Sequence, residues 1–180
     1  MERLLSAQQV AEAIDRLVEA VRTHVPPTEP LAVIGIRTRG EILAQRLVER
    51  LRKDGRNVDH GVLDITFYRD DLSLRKGVPL VRATEIDFDL DDKLVLLVDD
   101  VLQTGRSIRA AMDALVDFGR PRAIRLAVLI DRGGRELPIA PDYLGAALPA
   151  ARGARVQVRL AEQDGEDGVF LTKTRKTSPP

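Results

Sequence analysis

Apolar residues follow two rhythms along this chain. Val10, Ile14, Leu17, Val18 and Val21 recur at helical spacing behind Ser6, which has Gln9 three residues on, so a capping box and an amphipathic helix are predicted over 6–23. The stretch 25–30, VPPTEP, ends it. LAVIGI (31–36), LVLLV (94–98) and AIRLAVLI (123–130) are instead short continuous apolar runs, the pattern of strands buried on both faces. Between them lie two further helical stripes: Ile42, Leu43, Leu47, Val48 and Leu51, closed by Asp54-Gly55, and Ile108, Ala111, Met112, Leu115 and Val116, stopped by Gly119 and Pro121. Residues 58–68 are expected as a mixed strand, and 154–160 and 168–171 as short strands. Apolar strands alternating with amphipathic helices predict an α/β fold, a mostly parallel sheet flanked by helices, with ligands at the C-terminal strand ends.

Two stretches break the rhythm. Residues 69–92 are polar, contain Gly77 and Pro79, and are long for a loop, which points to a lid, a binding arm or an extended hairpin. The tail from about 173 to 180 is expected to fray. Neither an internal repeat nor a second domain is visible, and 180 residues with 44% hydrophobic content fit a single domain over 1–180.

Charge narrows the functions. Lys+Arg and Asp+Glu balance at 28 each, so any polyanion site has to be built locally. With no cysteine there are no disulfides, thiolate metal sites or cysteine nucleophiles. No apolar run approaches the ~18 residues of a membrane span, and the start MERLLSAQQ lacks the layout of a signal peptide. The expectation is a cytoplasmic protein with no membrane partner.

The chemistry gathers after the middle strand, in VDDVLQTGRS (98–107). Asp99 and Asp100 are placed at the strand's C-terminal edge, with a loop over 99–106. Thr104, Gly105, Arg106 and Ser107 lead into a helix N-terminus, where free N–H groups, hydroxyls and the positive dipole end favour a phosphate. Adjacent aspartates alone are common in solvated turns, and Thr-Gly-Arg-Ser alone is a common turn. Their combination suits a sugar whose hydroxyls meet carboxylates and whose phosphate sits in the loop, which is the shape of ribose 5-phosphate. Gly35 and Gly40 have P-loop spacing, but Glu41 and Ile42 stand where Lys and Ser/Thr are required; no GxGxxG follows a predicted strand. His24 and His60 lie outside every motif, and Tyr143 and Phe170 are expected as packing residues.

Residues 98–107 resemble the phosphoribosyl-diphosphate (PRPP) signature of type I phosphoribosyltransferases. GIRTRG (35–40), DITFYRDDL (64–72), 98–121 and LAVLIDRGGRELPIAPDYLG (126–145) together resemble a narrower family, the bifunctional pyr operon attenuators and uracil phosphoribosyltransferases, PyrR. The likeness runs from about Leu4 to Phe170. It implies the type I fold with a small hood and a flexible active-site arm over about 69–92. The implied reaction, in pyrimidine salvage, is uracil plus PRPP giving UMP and diphosphate, with Mg2+.

Carried over by position, Asp99 and Asp100 hold the ribose hydroxyls and touch Mg2+ mainly through water. The ribose 5-phosphate site continues through Val101, Leu102 and Gln103, with the 5-phosphate itself at Thr104, Gly105, Arg106 and Ser107. Arg37, Thr38, Arg39 and Gly40 form a diphosphate loop; Arg69 is a catalytic cation on the arm, with Arg75 and Lys76 beside it; Ile130, Asp131 and Arg132 meet the base. A dimer or tetramer is also implied.

The family's second activity is UMP-stimulated binding of an mRNA leader hairpin, the basis of transcription attenuation. Here Gly134 replaces the usual His of Gly-His-Arg-Glu, Ala140 and Ala146 stand at positions that tend to be basic, and Glu12 and Asp15 occupy the first helix. Arg16, Arg135, Arg152 and Arg155 remain as a reduced RNA-binding set. Three readings stay open: a uracil transferase, mainly an RNA-binding attenuator, and a type I transferase for another nucleobase.

Overall fold

Leu31–Ile36 (β2), Val58–Leu63 (β3), Leu94–Leu102 (β4), Ala123–Asp131 (β5) and Tyr143–Ala147 (β6) form one sheet in the order β3-β2-β4-β5-β6, every neighbouring pair parallel. The computed structural model describes residues 1–68, 83–151 and 153–173. β2 is buried at all six positions because both faces of the sheet are covered. Helices Ala7–His24 (α1) and Arg39–Lys53 (α2) pack on one face, where Ile14, Leu17, Leu43 and Leu47 meet Leu96 and Val98. Helix Arg106–Leu115 (α3) covers the other, where Ile108 and Ala111 meet Val95 and Leu97.

A second sheet is the hood. Glu2–Leu5 (β1), Gly168–Lys173 (β8) and Ala154–Arg159 (β7) pair antiparallel in the order β1-β8-β7, and the short helix Ala161–Asp164 (α4) connects β7 to β8. Val156, Val158 and Val169 join the α1–α2 core, so the hood is continuous with the main body. Phe170 lies between the guanidinium groups of Arg3 and Arg159, 5.2 and 4.8 Å from its ring centre.

The expected elements are present with four adjustments. The capping box forms, with Ser6 and Gln9 each accepting the other's backbone N–H. β3 ends at Leu63 rather than running to 68, because the Asp64 carboxylate accepts the N–H of Thr66 and turns the chain into a 3-10 turn at Thr66–Tyr68. β4 runs four residues past Val98, so Asp99 and Asp100 are strand residues and the connecting loop is only 103–105. α3 stops at Leu115; a 3-10 turn then carries Val116 out of the apolar face, leaving it 74% exposed. Finally, the segment expected as an arm over 69–92 divides. Residues 69–82 lie outside the described residues, whereas Glu85 pairs with Val62 and Leu90 is fully buried. The expected tail over 174–180 also lies outside the described residues.

Candidate active site

A cleft of about 370 Å3 opens at the C-terminal end of β4. Asp99 to Ile108 line one side, Arg39 another, and Arg155 to Val158 of the hood close it opposite. Asp99 is only 8% exposed and its Oδ1 accepts the N–H of Asp100; Asp100 Oδ1 accepts the N–H of Val101 in turn. Burial pushes the Asp100 carboxyl above its usual range, opposed by the nearby Arg39 charge and the Val101 N–H. Two adjacent carboxylates, Asp99 buried and Asp100 half-buried, favour a ligand that brings hydroxyl donors or a cation to the cleft.

The turn after β4 is held in shape from behind. Arg132 N–H donates to Leu102 O, Arg135 Nη1 to Gln103 O, and the N–H groups of Glu136 and Leu137 both to Thr104 O, at 3.0–3.1 Å. These donors occupy the carbonyl side of the turn. Gly105 then takes a left-handed φ of 90°, serves as N-cap of α3 and brings no side chain to close the helix's first turn. Thr104 Oγ1 accepts the Arg106 N–H across this turn. Ser107 and Ile108, in the first turn of α3, line the cleft, and an uncapped first turn is a site for an anion.

The loop after β2 reaches the same place by close packing. A Cβ on Gly40 would lie 2.5 Å from Val98 O, so only glycine lets α2 begin directly against β4. The Arg37–Thr38 peptide is cis. The two arginines flanking Thr38 then part. Arg39 lines the cleft and is gripped by Asp164 of α4, whose carboxylate accepts from Nε at 3.1 Å and Nη2 at 2.7 Å. Arg37 does not line it: its side chain is 13% exposed and donates to Glu41, Glu85 and Ala83 O. Of the two arginines expected at a diphosphate, Arg39 therefore lines the cleft, and the Arg37 guanidinium is bound by Glu41, Glu85 and Ala83 O.

The triplet expected at the base is placed differently. Ile130 is fully buried in the sheet between Val101 and Ala146. Asp131 is bound by Arg135 at 2.5 and 2.9 Å and by the Gly133 N–H, which hold its carboxyl below the usual range, the arginine contributing most. Arg132 is 5% exposed and gives its guanidinium N–H groups to the carbonyls of Ala150, Ala151 and Ala154. Nη1 and Nη2 of this buried guanidinium go to three carbonyls, whereas its Nε has no hydrogen-bond partner among the described residues, so the side chain is a strut between β5 and the hood.

Of the arginines expected to bind RNA, Arg16 is exposed on α1 with Nε donating to Gly145 O. Arg135 is spent on Asp131, Gln103 and Ile139. Arg155 stands in the cleft, and Arg152 lies outside the described residues, as do Arg69, Arg75 and Lys76. Residues that sequence reasoning missed are Glu136 and Leu137, which brace the turn, and the β7 wall of the cleft; the only signal for the wall was its alternating strand pattern.

Asp99 and Asp100 are also the oxygen donors available to a metal. Among the described residues no group of three His, Asp or Glu side chains is placed to hold one. Two carboxylates fit a hard cation such as Mg2+ that takes the rest of its ligands from substrate oxygens and water.

A parallel sheet with an antiparallel hood and a phosphate-type turn at the end of its central strand defines the type I phosphoribosyltransferase fold. The family model for the phosphoribosyl transferase domain matches residues 1–162. The chain is 50% identical over 179 residues to the bifunctional protein PyrR of Roseiflexus sp., covering 98% of each. It is 50% identical over 169 residues to that of Deinococcus radiodurans, covering 93% of this chain and 92% of the other. Its fold superposes on a hypoxanthine phosphoribosyltransferase of Trypanosoma cruzi with a TM-score of 0.66 at 18% identity, covering 97% and 98%. The chain belongs to the phosphoribosyltransferase family, in its PyrR branch. Among the described residues no helix is long and apolar enough to cross a membrane.

Proposed function

We propose that this chain transfers the phosphoribosyl group of PRPP to uracil, giving UMP and diphosphate. One observation carries the reading: the adjacent carboxylates of Asp99 and Asp100 and a turn with its carbonyls held from behind share a single cleft with Arg39. Ribose hydroxyls donate to Asp99 and Asp100, and the 5-phosphate accepts from the backbone amides and hydroxyls of Thr104 to Ser107. Uracil N1 forms the new bond to the anomeric carbon as the bond to diphosphate breaks; diphosphate leaves with the electron pair, and the N1 proton passes to solvent water. Positive charge develops on the sugar in between, and the two carboxylates stabilise it. Mg2+, when bound, offsets the charge of the departing diphosphate, and Arg39 lies where the same group would lie. The β7 residues Arg155 to Val158 line the same cleft and are available to the base.

The decisive assay is UMP formation from uracil and PRPP with Mg2+, run against hypoxanthine, guanine and orotate. UMP alone is expected; turnover of another base instead would move the chain to another transferase specificity.

The relatives' bifunctional name supports a second activity, UMP-responsive binding of an mRNA leader hairpin by a dimer or tetramer. Arg16 is exposed for this role, whereas Arg135 is held by its own loop. Binding that tightens with UMP and weakens with salt is the expected result.

A further inference from the structure

Arg39 reaches the cleft from the first residue of α2, yet its conformation is set by the hood. Asp164, the last residue of α4, is itself fixed: its side chain is 15% exposed, and Oδ2 also accepts the N–H of the fully buried Leu160 at 2.9 Å. The fork uses Nε and Nη2 of Arg39 and leaves Nη1 out of it. A free arginine has several rotatable bonds to order before it can meet a phosphate, and a fixed bidentate carboxylate removes most of that cost in advance. About two helical turns on, Arg46 makes a similar clamp with Glu162 and Asp167 of the same hood turn, but Arg46 does not line the cleft. The molecule therefore contains a clamp that faces the substrate and a chemically matched one that does not.

We propose that Asp164 is a positioning residue for PRPP: it aims Arg39 into the cleft, so that the affinity for the diphosphate end of the substrate depends on the hood being seated. The inference rests on the phosphoribosyl-transfer reading. It predicts an effect on one substrate, acting through one side chain.

The test compares wild type with Asp164→Asn, Arg39→Gln, the double variant and Asp167→Asn. PRPP affinity is measured by titration calorimetry with Mg2+, and KM for PRPP and for uracil during UMP synthesis. Asp164→Asn is expected to weaken PRPP about five- to tenfold with KM for uracil within twofold. In the Arg39→Gln background it should add less than twofold. Asp167→Asn should lower the melting temperature and leave the ratio of the two KM values unchanged. Wild-type PRPP affinity in Asp164→Asn, or the same loss with and without Arg39, overturns the proposal. Should Asp164→Asn not fold, Asp164→Glu keeps the charge, displaces it by a methylene and faces the same non-additivity criterion. Calorimetry needs no base, so a wild type that binds PRPP but makes no UMP defeats the uracil reading alone; one that binds no PRPP defeats both.

Discussion

Two turns leave the sheet side by side, after β4 and after β5, and they are built on opposite plans. The turn after β4 satisfies its carbonyls and leaves the first turn of α3 uncapped. The loop after β5 closes on itself: Asp131, Arg132 and Arg135 are each occupied by protein groups. The stretches 99–106 and 131–136 each contain Gly, Arg and Asp, so composition does not separate them. What separates them is where the donors point. In the β5 loop the guanidinium groups turn inward to carbonyls and a carboxylate; one of them, Arg135, and the backbone N–H groups of Arg132, Glu136 and Leu137 end on the β4 turn itself. The closed loop is the scaffold of the open turn.

The contrast breaks hardest at Arg132. Arg132→Ala leaves the carbonyls of Ala150, Ala151 and Ala154 without their donors and removes a strut to the hood. The expected loss is roughly 2–4 kcal/mol, read as a fall of about 5–15 °C in thermal unfolding. A variant melting within 2 °C of wild type, in terms of that scale about 1 kcal/mol or less, would return Arg132 to the list of ligand-facing side chains.

At the open turn the larger effect belongs to Asp100. Asp100→Asn keeps the shape and removes the charge, and turnover is expected to fall by about tenfold or more, equivalent to ~1.4 kcal/mol of transition-state stabilisation. Because a buried carboxylate raised above its usual range disfavours the folded state when ionised, the variant should be no less stable than wild type at neutral pH. Steady-state kinetics and a melting curve on the same sample check both halves. Equal turnover would reject the sugar-binding role.

The strand–helix alternation was legible because three continuous apolar runs and three helical stripes left no competing period, and the structure keeps all six. The site was legible in Asp99, Asp100 and the run Thr104 to Ser107, which the structure brings to one cleft. Gly40 was legible only as part of a diphosphate loop; its close approach to Val98 O depends on how α2 packs on β4. Arg37 and Arg39 illustrate the limit: two arginines flanking one threonine, with nothing local to say that Glu41 and Glu85 claim one and Asp164, 125 positions away, the other. The burial of Arg132 was illegible for a related reason. A charged residue beside two glycines is expected at the surface, and its burial depends on carbonyls 18 to 22 positions downstream.

Gly105 offers a smaller and more selective break. Its φ of 90° costs an L-residue about 1–2 kcal/mol, and a Cβ there would meet the Ile139 side chain at 3.3 Å. Gly105→Ala is expected to weaken PRPP several-fold by shifting the turn, with the sheet unchanged. Calorimetry with PRPP measures the shift. Unaltered affinity would mean that the turn's geometry does not matter to the phosphate.

The finest test asks whether the closed loop supports the open turn at all, and Arg135 is the place to ask it. Arg135→Gln frees Gln103 O and the Asp131 carboxylate together. A bond of this kind contributes about 1 kcal/mol, so the variant should lose about that much stability and two- to threefold in PRPP affinity. The pH dependence assigns the cause. Arg135 holds Asp131 below its unfolded-state value of about 4, so the pair's contribution is fully present above that value and disappears as pH falls through the lower folded value. Denaturant unfolding of wild type and variant should therefore differ at pH 7 and converge toward pH 3. Curves that stay parallel over that range would place the loss in packing around Gln103 and Ile139, and the scaffold would then act through shape and not through charge.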